Sequence, residues 1–223
     1  NNGVVANQDY TLDTAAPTAN FGAATDDVGS VTGALVSGNT TDDTALVLSG
    51  TNVANSTVAV YDGLTLLGAA TVSGTGWTYT ATVANGVTYS FNVVETDLAG
   101  NVSAPTAGFT VIGDTTAPTT TISGIDISAD TGTLDSDFVT KTAAQTITGT
   151  LSVGLVGGEI LYGSVDAGLN WTDITIKAVG TAISWDGATL SGASSIRMKV
   201  TDAAGNNGVV ANQDYTLDTA APT

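Results

Sequence analysis

The eighteen residues from Asn206 to Thr223, NNGVVANQDYTLDTAAPT, repeat Asn1 to Thr18 letter for letter. An identity of that length predicts a tandem array with a 205-residue period (206 − 1), one full unit of which follows the tail of a preceding copy. The shared segment contains the motif D-T-x-A-P-T, and the motif recurs in the middle as Asp114-Thr115-Thr116-Ala117-Pro118-Thr119. Asp13 and Asp114 are 101 residues apart and Asp114 and Asp218 are 104 apart, so each half of the period is the size of one small domain. The expected organisation is a last strand and linker of a preceding repeat at 1–18, domain one at 19–113, a linker at 114–120, domain two at 121–217, and a linker to the next repeat at 218–223.

Within each half the chain reads as short apolar runs punctuated by Gly, Asn and Asp, the signature of strands and turns. In domain one the expected strands are Ala45 to Gly50, Ser56 to Asp62, Thr65 to Thr71, Gly76 to Val83, Thr88 to Thr96 and Thr106 to Ile112, with Asp62-Gly63 as a two-residue hairpin signal. Domain two repeats the plan at Thr142 to Leu151, Glu159 to Val165, Thr181 to Trp185, Ser194 to Val200 and Gly208 to Leu217. Residues 1–12 read as a lone strand with Val4, Val5, Tyr10 and Leu12 as its apolar positions. Trp77, Tyr79, Tyr89 and Phe91 alternate with small polar residues and are expected to supply the bulky half of one core, while Ile196, Met198 and Val200 point inward and Arg197 and Lys199 outward. No 3.6-residue apolar stripe is present, so the fold class is all-β: two tandem immunoglobulin-like antiparallel sandwiches in an extended arrangement.

Charge narrows the function. The chain carries 21 acidic and 4 basic residues, for a net charge of −17, yet 42% of it is hydrophobic, which argues for folded domains rather than disorder. A surface this negative repels phosphates, so neither nucleic acid nor an anionic membrane is expected as a partner. There is no cysteine and no histidine, which removes thiol and imidazole chemistry, and an enzyme is not expected. A glycosidase would need two carboxylates across a cleft, and every acid here has a place as a turn former or a cation ligand. Trp77, Trp171 and Trp185 read as core residues rather than a sugar platform.

The residues also carry a resemblance. Thr96-Asp97-Leu98-Ala99-Gly100-Asn101 and Thr201-Asp202-Ala203-Ala204-Gly205-Asn206, each followed by one strand and then D-T-x-A-P-T, resemble the bacterial immunoglobulin-like repeats of giant calcium-dependent adhesins exported by type I secretion. The stretches from Thr25 to Ser30, Thr41 to Thr44, Asp130 to Gly132 and Asp137 to Thr140 are similar to the openings of two subtypes of those repeats. The resemblance implies an extender region on the bacterial cell surface, in which calcium at the linkers stiffens a stalk that projects a ligand-binding tip. It implies calcium ions and adjacent repeats of the same chain as partners, a monomer, and no direct membrane contact. The alternative is an accessory module that itself binds carbohydrate or protein.

The aspartates support a calcium reading on their own spacing. In such a sandwich the last strand leaves at the pole that carries the A to B loop, and the next domain presents its F to G loop there. The expected middle site therefore gathers Asp26, Asp27, Asp42 and Asp43, the linker residue Asp114, and Asp202 with Asn206. The front site gathers Asp13, Asp97 and Asn101, and the back site Asp126, Asp130, Asp135, Asp137 and Asp218. Carboxylates brought within 4 Å repel by about 4 kcal/mol per pair at an effective dielectric of ~20. Domain one has no Lys or Arg to offset this, so a hard cation with many oxygen ligands is the natural counter-charge. The competing reading of T-D-x-A-G-N is a tight turn with glycine at positive φ. Glu95 reads either as an outward charge or as a supporting ligand.

Overall fold

The structure, a computed structural model, describes residues 8–221. Its contacts divide the chain into two compact units. The first comprises residues up to Asp27, Gly33–Asn39 and Asp43–Gly113; the second comprises Val28–Thr32, Thr40–Asp42 and the residues from Asp114 onward.

The first unit holds two five-stranded sheets, with strands numbered in chain order. One is built from β1 (Ala23–Asp26), β2 (Gly33–Ala34), β4 (Ala45–Thr51), β7 (Thr71–Ser73) and β8 (Gly76–Thr82), in the order β2-β1-β4-β8-β7. The other takes β3 (Asn39–Thr41), β5 (Thr57–Asp62), β6 (Thr65–Ala69), β9 (Thr88–Thr96) and β10 (Phe109–Gly113), in the order β3-β10-β9-β5-β6. Period-two alternation explains the packing: Leu46 and Leu48 of β4, Val58 and Val60 of β5, and Phe91 and Val93 of β9 all turn inward and are buried. Trp77 is buried with them and its Nε1 donates to the Asn20 carbonyl at 3.0 Å, while Phe21 packs edge-on against it. Tyr79 and Tyr89 lie at the margin of this core rather than inside it.

The second unit repeats the design. Strands β11 (Ile122–Ile127), β13 (Ala144–Leu151), β16 (Ala178–Val179) and β17 (Ala182–Thr189) form a sheet in the order β11-β13-β17-β16. Strands β12 (Val139–Thr140), β14 (Ile160–Ser164), β15 (Thr172–Asp173), β18 (Ala193–Thr201) and β19 (Ala211–Leu217) form the facing one in the order β12-β19-β18-β14-β15. β12 runs parallel to β19, whereas the other paired strands of this unit are antiparallel. Ile196, Met198 and Val200 are fully buried, as their alternation predicts, and Trp185 joins them. Trp171 departs from the expectation of a core residue: it stands half-buried beside the outer face, within cation-π distance of Lys199.

Several expected strands are re-cut by sheet geometry. Thr65 to Thr71 breaks at Ala70, whose N–H is taken by the Val58 carbonyl, because there the chain crosses from one sheet to the other. The run from Thr106 enters the sheet only at Phe109, behind Pro105. The hairpin turns through Gly63 and Leu64, since Asp62 itself pairs with Thr65. Val4 and Val5 lie outside the described residues. Gln8 to Leu12 form no strand, and Tyr10 is 90% exposed where its repeat counterpart Tyr215 is 4% exposed in β19. The same letters fold only where β18 and β12 stand beside them to complete the ladder.

Candidate metal centre

The linker aspartates share one local conformation. Asp13 Oδ1 accepts the Ala15 N–H at 3.0 Å, Asp114 Oδ1 the Thr116 N–H at 3.0 Å, and Asp218 Oδ1 the Ala220 N–H at 2.9 Å. Each is an Asx turn, the short side chain standing in for a backbone acceptor, and Asp114 and Asp218 make theirs directly after β10 and β19. Their main chains are anchored too: Asp114 N donates to Thr41 O and Asp218 N to Thr140 O, both at 2.8 Å.

The two T-D-x-A-G-N loops are likewise built alike. In the first unit Asp97 Oδ1 accepts the Asn101 N–H at 2.8 Å and Oδ2 accepts the Asn101 side-chain amide at 2.9 Å. The side-chain hydrogen bond from Asn101, with smaller backbone contributions, lowers the Asp97 pKa below its ordinary value. In the second unit Asp202 Oδ1 accepts the N–H groups of Ala204, Gly205 and Asn206, and Oδ2 accepts the Asn206 amide. Gly100 and Gly205 supply the positive φ, +90° and +104°, that closes each turn. The tight-turn reading thus describes the inside of both loops. A second bond leads out of each: Asn101 Nδ2 donates to the Asp13 carbonyl at 3.2 Å, and Asn206 Nδ2 to the Asp114 carbonyl at 2.8 Å. Each unit thereby holds the linker that enters it.

At the far end of the first unit, Asp26 and Asp43 are each only 2% exposed and Asp27 is exposed; Asp42, which belongs to the second unit, is half-buried. Asp43 Oδ1 accepts the Ala45 N–H at 2.7 Å. The chain also crowds Asp42: a Cβ on Gly29 would fall 2.1 Å from Asp42 Oδ2, so glycine is what lets the backbone lie against that carboxylate. These carboxylates lie in a part of the sequence with no Lys or Arg before Lys141.

The back group is more dispersed. Asp130 Oδ2 accepts the Phe138 N–H and its buried Oδ1 has no hydrogen-bond partner; Asp137 Oδ1 accepts the Val139 N–H. Asp126 bonds the N–H of its neighbour Ile127, and Asp126, Asp135, Asp137 and Asp218 are exposed. Among the described residues no three carboxylates come together as a metal-holding group. A cation here would draw on a mixture of carboxylate, amide and main-chain oxygens, which calcium accepts.

Other acids are accounted for without a cation. Asp62 caps Ser90 and Asp173 caps Thr175. Hydrogen bonds from the Asn170 backbone and side chain and from Ser164 lower Asp166 to about 2, and Asp186 pairs with Lys177. Glu95 is not an outward charge. It is wholly buried, and its Oε1 accepts Val53 N–H at 2.5 Å and Ser56 Oγ at 2.6 Å, closing the turn before β5. In the second unit that role falls to Glu159, which accepts the Val156 N–H from within its own turn. Sequence reasoning also passed over Gln145, 3% exposed, whose amide bonds Ser128, Ala129 and Thr142. A glutamine in a strand gives no sign of such a network until the loop folds over it.

Two facing-sheet sandwiches of this strand order define a tandem immunoglobulin-like β protein. Residues 9–115 match the family described as Bacterial Ig-like domain. No curated protein matches the chain. Among solved structures it is similar to the fibronectin(III)-like modules of Clostridium thermocellum CbhA, at 15% identity and a TM-score of 0.51 over 82% of this chain and 90% of that one, a likeness of fold. A biofilm-associated protein, BSP domain, aligns at 19% identity with a TM-score of 0.27 over 82% of this chain, which spans 29% of that structure. Among the described residues no helix is long and apolar enough to cross a membrane.

Proposed function

We propose that the chain is an extender repeat of a bacterial cell-surface adhesin, a stalk segment whose linkers are stiffened by calcium. The observation that carries this reading is the repeated grip of Asn101 on the Asp13 carbonyl and of Asn206 on the Asp114 carbonyl. Using the same turn twice to hold the same linker motif suits a chain whose task is to set the geometry of its joints rather than to perform a reaction. Pro118 adds to this, since it fixes one φ and keeps Ala117 extended.

The residues that would hold calcium are Asp26 and Asp43 in the first unit and Asp42, Asp114, Asp202 and Asn206 in the second, with Asp13, Asp97 and Asn101, and Asp130, Asp137 and Asp218, as the sets beside the other two linker motifs. Bound calcium would supply the positive charge that the first unit lacks. Extracellular modules bind calcium at about 10⁻⁴ to 10⁻³ M. Calorimetric titration of the 223-residue chain should therefore show binding in that range, and small-angle scattering should differ between calcium and EDTA. No heat of binding would remove calcium from the reading. Superimposable scattering curves would leave the linker grip and Pro118 as the only stiffening elements.

A further inference from the structure

Val94 and Lys199 each stand two residues before their T-D-x-A-G-N loop, on the outer face of a sheet, and their surroundings differ. In the first unit Val94 of β9 pairs with Ala59 of β5; in the second Lys199 of β18 pairs with Tyr162 of β14. The shared fold therefore does not require a cation at this position. Lys199 Nζ lies 4.7 Å from the centre of the Trp171 ring and 5.7 Å from that of Tyr162. It donates to Asn207 Oδ1 at 2.7 Å, and Thr201 Oγ1 fixes that oxygen with a second bond at 2.8 Å, so the ammonium is pinned. Among the described residues its other two protons meet no acceptor, and the one ion pair within 4 Å is that of Lys177, in a chain of net charge −17. Ser30, Tyr162, Trp171 and Lys199, all of the second unit, line an open cleft of about 230 Å³.

We propose that this cleft binds a carboxylate-bearing sugar ring, of the uronic acid class. The two unspent protons of Nζ meet the carboxylate in charge-assisted hydrogen bonds. Trp171 and Tyr162, both half-buried, offer apolar surface to the C–H groups of the ring, and the exposed Ser30 hydroxyl offers a partner to its hydroxyls. Drug-sized ligands fill about 300–1,000 Å³, so a cleft of this size takes one ring, either a free monosaccharide or one unit of a polymer. Arg197, two residues back on the same face of β18, adds a second cation: it and Trp171 close side by side over Gly168, each within 3.4 Å of where a Cβ on that glycine would stand. Partial burial lowers the Lys199 pKa, as befits an ammonium that has lost water without gaining a counter-ion, and a bound carboxylate would supply one. The site uses none of the linker aspartates, so it stands or falls separately from the calcium reading.

Titration of the 223-residue chain with glucuronate, followed by NMR, tests this. Saturable shifts are expected at the Trp171 indole and the Lys199 side chain, with a Kd on the order of 1 mM. Lys199→Met should weaken binding about tenfold or more, with circular dichroism confirming that the variant folds. Glucose should leave both signals in place, and acetate should move them only weakly, because each lacks half of the recognised chemistry. A short oligoglucuronate that binds more tightly than the monomer would assign the site to a polymer; equal affinity would assign it to a single sugar unit. No shift at about 20 mM glucuronate overturns the proposal. So does acetate binding as well as glucuronate, or affinity unchanged in Lys199→Met.

Discussion

The outgoing poles of the two units occupy the same place in the same fold and solve it with opposite chemistry. Asp114 N bonds Thr41 O just after β10 and Asp218 N bonds Thr140 O just after β19, which aligns Thr41 with Thr140, Asp42 with Lys141, and Asp43 with Thr142. In the first unit the pole buries the carboxylates of Asp26 and Asp43. In the second, Gln145 and Thr140 bind the loop with neutral hydrogen bonds: Ser128 Oγ and Ala129 N–H donate to Gln145 Oε1, the Gln145 amide donates to the Ala129 and Thr142 carbonyls, and Thr140 Oγ1 donates to Ala129 O at 2.5 Å. An amide network satisfies itself, whereas buried carboxylates gain from a counter-charge. Under the calcium reading, the two units of one repeat should then depend on calcium to different degrees.

The largest expected effect is on the first unit when calcium is removed. A ligand at a hundred times its dissociation constant contributes about 2.7 kcal/mol, roughly 10–20 °C of melting temperature for a domain of this size. Hydrogen exchange in calcium and in EDTA should therefore show β4, β5 and β9 losing protection well before β13, β14 and β18. Equal losses in the two units would break the comparison.

Gln145→Ala should act in the opposite pattern. Removing an amide that serves four hydrogen bonds should cost the second unit about 2 kcal/mol, by the same amount with and without calcium. A cost that appears only in EDTA would mean that the second pole also depends on a cation.

Asp43→Asn sharpens the contrast through its sign. The amide oxygen can still accept the Ala45 N–H, so the change is chiefly one of charge. In EDTA it should stabilise the first unit by about 1 kcal/mol, by relieving repulsion, and in saturating calcium it should destabilise it. Denaturant midpoints under the two conditions read this, and a shift of the same sign in both would separate Asp43 from any cation.

The smallest effect should be common to both units. Asn101→Ala and Asn206→Ala each remove the side-chain bond to a linker carbonyl and should cost about 0.5–1 kcal/mol, with matching increases in proteolysis of the linker. A large difference between them would show that the two turns, alike in geometry, hold their linkers with unequal strength.

The sequence determined the period, the division into halves, the all-β class and the positions of the long central strands, because exact repetition and period-two alternation are local properties that a sandwich core requires. It also located the linker and turn motifs, whose Asp, Asn and Gly act within a few residues of themselves. What it left open were the short edge strands β2, β3, β7, β12, β15 and β16, since two or three residues carry too little pattern to signal pairing. The burial of Glu95, Asp43 and Gln145 was decided only when distant segments met: Val53 and Ser56 close on Glu95, and Ser128 and Ala129 on Gln145. Tyr10 and Tyr215 make the division plain, because they stand in identical sequence and one is exposed while the other is buried. A strand's hydrogen bonds and its apolar face are completed by its neighbours, so the letters propose a strand and only the assembled sheet makes one.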